Sequence, residues 1–166
     1  MAQFVHLTSE AALARIRRDG ISRLRKARGE LPRGVYAVPM TRDFFISHQW
    51  LRELKRRNGA MLAGVYFRIP DDQTVLVGHY NQAHREMSAA QAVSVFMSAE
   101  NREGWEVLIP RRILAKEIHR IKLLPQTVGW RYFPDAKRKP PCACPFCTRG
   151  EYGARKLRAR SQSQED

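Results

Sequence analysis

Gly104-Trp105-Glu106-Val107-Leu108-Ile109-Pro110 is the stretch from which the rest of this chain can be read. Val107, Leu108 and Ile109 form a continuous apolar run with two β-branched members, bounded by glycine and proline. That pattern predicts a central strand covered on both faces. Glu106 stands at its entrance, where a carboxylate is easily desolvated. Desolvation is expensive unless the carboxylate has a partner or a task. Two readings stay open on this stretch alone: a solvated residue at a loop–strand junction, or a functional carboxylate in a cleft.

Working outward, Gln3 to Leu7 has the pattern of a short strand, with His6 near its end. Thr8 or Ser9 can cap a helix through Ala11, Ala12, Leu13 and Ile16, stopped at Asp19-Gly20. Ile21 to Glu30 is basic and ambiguous. Leu31-Pro32-Arg33-Gly34 reads as a turn into a strand at Val35 to Pro39, ended by its proline. Ile46, Trp50 and Leu54 recur every fourth residue and predict a helix over 41–57, closed by Asn58-Gly59. Met61 to Ile69 and Thr74 to His79 read as strands joined by a Pro70-Asp71-Asp72-Gln73 hairpin turn. His79, Tyr80 and His84 are read as a polar loop, with a role in supporting a site or contacting substrate as the alternative. Ser88-Ala89-Ala90-Gln91 is a capping box opening a short helix. Leu114 to Leu124 keeps a helical spacing at Ile118, Ile121 and Leu124, with strand or helix both open for its end.

Lys137-Arg138-Lys139-Pro140-Pro141 marks a change of composition into a basic, proline-stiffened segment. We therefore divide the 166-residue chain into one α/β domain over 1–136 and a basic arm over 137–166, disordered at its end. The arm carries all three cysteines, Cys142, Cys144 and Cys147, in a Cys-x-Cys-x-x-Cys array. An odd number so closely spaced fits metal ligation or reduced thiols rather than a disulfide framework. The Cys-Pro-Phe-Cys turn has the form of a zinc knuckle, in which both thiolates face one ion. Zinc is thus a candidate cofactor, with a fourth ligand from elsewhere in the chain, His119 or His84.

Thirty Lys and Arg against sixteen Asp and Glu give a formal charge of +14, which favours a polyanionic partner. Nucleic acid comes first and an acidic membrane surface second. Lys137, Arg138, Lys139, Arg155 and Lys156 are the arm residues expected to contact phosphates. No apolar run approaches the ~20 residues of a membrane helix. With no basic-then-apolar leader at the N-terminus, a cytoplasmic protein without membrane contacts is expected.

Three short motifs occur in order: Phe4-Val5-His6-Leu7-Thr8, Gly34-Val35-Tyr36 and Glu106-Val107-Leu108-Ile109-Pro110. Together they resemble the His-Tyr-Glu arrangement of the ADP-ribosyltransferase superfamily, in its poly-ADP-ribose polymerase-like branch and the toxins that modify DNA. The resemblance covers about residues 1 to 125. It implies a small split-sheet α/β fold with a central cleft holding NAD as substrate. His6, with Thr8 nearby, would hydrogen-bond the adenine-side ribose, Tyr36 would pack on the nicotinamide ring, and Glu106 would contact the nicotinamide ribose. The implied activity is NAD-dependent transfer of ADP-ribose to a macromolecule, nucleic acid foremost, with an antidote or regulatory protein left unspecified. Leu7 replaces the glycine that often follows the histidine. Gly104 stands where arginine-modifying toxins place a second glutamate, and His6-Leu7 departs from the His-His of the RNA 2′-phosphotransferases. The alternative is a non-catalytic nucleic-acid-binding protein in which Glu106 is structural and the Cys-containing tail binds.

Overall fold

The computed structural model describes residues 1–22, 24, 31–58, 62–80 and 82–124. They form a mixed α/β structure around a seven-stranded antiparallel sheet. The strands are β1 (Ala2–Ser9), β2 (Val35–Pro39), β3 (Leu62–Ile69), β4 (Thr74–His79), β5 (Arg85–Ser88), β6 (Trp105–Ile109) and β7 (Ile118–Leu124). Their spatial order is β5-β4-β6-β2-β1-β3-β7. The helices are α1 (Leu13–Asp19), α2 (Phe44–Ser47), α3 (Leu51–Asn58) and α4 (Ala89–Ser98), with 3-10 turns at Glu10–Ala12 and Ala115–Glu117. The basic arm, with Cys142, Cys144, Cys147, Lys137, Arg138, Lys139, Arg155 and Lys156, lies outside the described residues. Among the described residues, no helix is long and apolar enough to cross a membrane.

Val107, Leu108 and Ile109 are buried, and β6 lies between β4 and β2, as the apolar run predicts. Gly34 leads into β2 because a side chain has no room there: a Cβ would stand 2.5 Å from the Ile109 carbonyl oxygen. Gly20 ends α1 with φ of +74°, and Ser88 with Gln91 closes the capping box on α4.

Two expectations are corrected. The helix over 41–57 is two helices, because His48, Gln49 and Trp50 form a turn between α2 and α3. Their polar groups are drawn into long-range contacts: the Tyr66 hydroxyl lies 2.8 Å from His48 Nε2, and Gln49 Nε2 donates to the Arg102 carbonyl at 2.8 Å. A continued helix would leave such groups unsatisfied. The second correction is topological. Pro70–Gln73 does form a turn, with the Gln73 N–H donating to the Pro70 carbonyl at 3.2 Å, yet β3 and β4 do not pair. β3 is flanked by β1 and β7, and β4 by β5 and β6, so neither has an edge for the other.

That turn determines the shape. β3 and β4 are four strand positions apart, which in a flat sheet is about 19 Å. A compact turn cannot join strand ends at that separation, so the sheet must fold over. The core agrees: Phe4, Val65 and Phe67 from one half share a cluster with Val75, Val77, Val107 and Ile109 from the other. The fold occurs at β2. Its Val35, Tyr36 and Ala37 pair with β6, whereas β1 pairs with it only at Val38 and Pro39. Beyond Val5 the two strands part, leaving a seam.

Phe67 is wholly buried and stacks on Phe4 with ring centroids 6.0 Å apart. Phe67→Ala should destabilise the protein by about 3–5 kcal/mol, read as a lower midpoint in chemical denaturation. A loss under about 1 kcal/mol would mean that the two half-sheets do not share this core.

Candidate functional site

Glu106 is the second residue of β6 and pairs with Gly78 of β4. Its side chain is 14 % exposed, so it belongs to a partly desolvated site rather than a solvated junction. The group responsible is His84, whose Nε2 lies 3.3 Å from Glu106 Oε1 and whose side chain is 1 % exposed. His84 reaches this position because Gly78 has no side chain. A Cβ there would stand 3.0 Å from the ring atoms Cγ and Nδ1 of His84.

Electrostatics follow from this packing. Contact with the Glu106 carboxylate raises the His84 pKa above its ordinary value, outweighing the lowering by burial. His48 provides the contrast. Burial holds its imidazole below the usual range, and with Nδ1 donating to the Phe44 carbonyl at 2.9 Å, its Nε2 accepts the Tyr66 hydroxyl.

Tyr36 and Glu106 occupy the same face of the sheet, since Tyr36 pairs with Leu108, two residues along β6. His6 is two residues from Phe4 and therefore out of phase with them. Its link to β2 is through the backbone, where its Nδ1 donates to the Tyr36 carbonyl at 2.7 Å. That bond places the proton of a neutral ring on Nδ1. Thr8 lies further along β1, partly exposed and paired with Ala63. The three motifs thus stand on the adjacent strands β1, β2 and β6.

A second layer holds the carboxylate strand. Trp50 donates from Nε1 to the Trp105 carbonyl at 2.9 Å, and its ring lies 5.2 Å from that of Tyr80. The Tyr80 N–H donates to the Gly104 carbonyl at 2.7 Å. Gly104 takes φ of +77°, and the Gln49 side-chain oxygen accepts its N–H. The loop between α4 and β6 is therefore pinned from the α2–α3 turn and from the end of β4.

His79 is the last residue of β4, and Tyr80 and His84 lie in the loop between β4 and β5, as the sequence predicts, but both are packed around the Glu106 strand rather than solvated. The signal was Gly78 inside an apolar strand, which marks a close approach. β5, which begins at Arg85, was also missed. Among the described residues no group of three His, Cys, Asp or Glu could hold a metal. Both nitrogens of His84 are engaged among the described residues: Nδ1 donates to the Gln82 carbonyl and Nε2 faces Glu106. His119 is on β7, and burial, with Arg68 and Arg120 nearby, lowers its pKa.

No protein-family model matches the chain, and no curated protein or solved structure matches it.

Gln49 is 1 % exposed and satisfies both the Arg102 carbonyl and the Gly104 N–H. Gln49→Ala should cost about 1–3 kcal/mol, because these backbone groups would lose their partner inside the protein. Hydrogen exchange should show faster opening around Gly104 and Trp105. Unchanged protection there would remove Gln49 from the support of the site.

Proposed function

We propose that this chain is an NAD-dependent ADP-ribosyltransferase whose acceptor is a macromolecule, nucleic acid foremost. The observation that supports this most is the meeting of β1, β2 and β6 at the seam, which brings the motifs of His6, Tyr36 and Glu106 onto three neighbouring strands. The finer fold assignment, a split-sheet ADP-ribosyltransferase fold with an NAD cleft, is part of the same proposal.

The chemistry asks for these groups. As the bond between the nicotinamide nitrogen and ribose C1 breaks, its electron pair leaves with nicotinamide and positive charge grows on the sugar. Glu106, a partly buried carboxylate held on a rigid strand, stabilises that charge more in the transition state than in the ground state. Tyr36, on the same face, offers a ring against which the planar nicotinamide can stack. His6 Nε2 can accept a hydroxyl of the adenine-side ribose, with Thr8 further along the strand. The acceptor nucleophile then bonds to C1 and loses its proton.

Glu106→Gln keeps the shape and removes the charge. Turnover of NAD should fall on the order of 10²- to 10³-fold, while NAD affinity by titration calorimetry changes little. His6→Ala should instead weaken binding. Wild-type rates in Glu106→Gln would end the transferase reading and leave a nucleic-acid-binding protein.

The basic arm is proposed to supply acceptor affinity. Neutralising Lys137, Arg138, Lys139, Arg155 and Lys156 should weaken nucleic-acid binding and flatten its salt dependence, because fewer counterions are released. NAD hydrolysis without nucleic acid should stay unchanged; a parallel loss of hydrolysis would place the arm in the catalytic site. Cys142, Cys144 and Cys147 are proposed to hold one zinc ion. Elemental analysis should then find about one zinc per chain, and a metal-free, stable and active protein would return them to reduced thiols.

A further inference from the structure

The imidazole of His84 lies almost wholly inside the protein, and its two nitrogens have different surroundings. Nδ1 is 2.9 Å from the Gln82 carbonyl oxygen, which can only accept, so Nδ1 carries a proton. Nε2 is buried, has no aligned hydrogen bond, and lies 3.3 Å from Glu106 Oε1. In a neutral ring Nε2 would therefore turn a lone pair toward a carboxylate. Only the imidazolium, with a second N–H at Nε2, makes that contact attractive.

We propose that His84 is a positioning residue for Glu106: its protonated Nε2, in a ring oriented by Gln82 and admitted by Gly78, holds Oε1 and leaves the other carboxylate oxygen for the substrate. The assignment rests on the transferase reading for its catalytic consequence, but the His84–Glu106 contact exists without it.

The surroundings single out Glu106 as the charge that matters. Gly78 of β4 presents only backbone to the ring. Among the described residues Tyr36 on β2, Tyr80 after β4 and His79, which pairs with Trp105, are the other titratable groups beside the Glu106 strand, and Arg85 and Glu86, next in the chain, are exposed. Among the described residues the influences on His84 are Glu106, the Gln82 carbonyl and burial. The sign follows. The folded pKa is raised, so the stabilising contact is fully present below the ordinary histidine value and is lost as pH rises through the folded one. Above it, Glu106 faces a lone pair and loses its anchor.

Two measurements on the full chain test this. The first follows the His84 ring resonances by NMR against pH, in wild type and in Glu106→Gln. The wild-type midpoint should lie above about 6.5 and fall in the variant; a midpoint at or below the ordinary value, or one indifferent to Glu106→Gln, overturns the proposal without touching the transferase reading. The second measures NAD turnover against pH. Wild type should lose kcat on the alkaline side at the NMR midpoint, with little change in KM. His84→Gln, whose amide supplies a donor without a titration, should retain turnover and lose that alkaline limb. Gly78→Ala, which leaves both partners but displaces the ring, should lower kcat on the order of 10- to 100-fold. If His84→Gln keeps the same alkaline limb, or Gly78→Ala keeps the wild-type kcat, His84 does not position Glu106. If the NMR coupling is found but no preparation turns over NAD, the contact stands, its catalytic consequence is refuted, and the transferase reading fails separately.

Discussion

The divided pairing of β2 is the constraint on which the rest depends. A strand inside a sheet normally uses both edges along its length, but here Val35 to Ala37 serve β6 while only Val38 and Pro39 serve β1. Past Pro39 the two strands share one further bond, from the Met40 N–H to the Gln3 carbonyl at 3.0 Å, so the contact with β1 is confined to the end of β2. The sheet can therefore fold at this strand. Folding lets the two halves bury Phe4, Phe67, Val75, Val107 and their neighbours in one core, and lets a four-residue link join β3 to β4. The same stagger puts the backbone carbonyl of Tyr36 outside the β1–β2 ladder, and the His6 ring meets it there. One irregularity in strand pairing thus provides both the closure of the core and the meeting place of the candidate site.

Two buried histidines show how local partners decide protonation. His48 has a donor and an acceptor arranged for a neutral ring, and burial does the rest. In His84 a carbonyl claims the first proton and a carboxylate asks for the second. Glu106 is correspondingly held by neighbours that are themselves fixed: Trp50 on the Trp105 carbonyl, Gln49 and Tyr80 on Gly104. The proposed reaction would use this rigidity, because a preorganised carboxylate does not have to reorient as a short-lived charge appears.

Much of the strand framework was legible in the sequence. Gly34, Pro39 and Pro110 bound β2 and β6 for reasons that operate within a few residues, and the Ser88–Gln91 box announced α4. What escaped was non-local. Pro70 to Gln73 has the same turn residues in a hairpin and in a link between half-sheets, and only the neighbours of β3 and β4 distinguish the two. The 41–57 segment has helical spacing throughout, but His48 and Gln49 are claimed by Tyr66, Arg102 and Gly104, tens of residues away. At the site, Glu106, Tyr36 and His6 were found from ordered motifs, whereas His84 sits in a polar stretch whose burial arises from Gly78 and Glu106.

The most direct test of the account is to incubate the full chain with NAD labelled in its adenylate, together with separate pools of DNA, RNA and protein, and follow both the label and free nicotinamide. The account predicts nicotinamide release in step with label becoming covalently attached to nucleic acid. Intact NAD in every pool, from a folded protein that still binds nucleic acid, would contradict it.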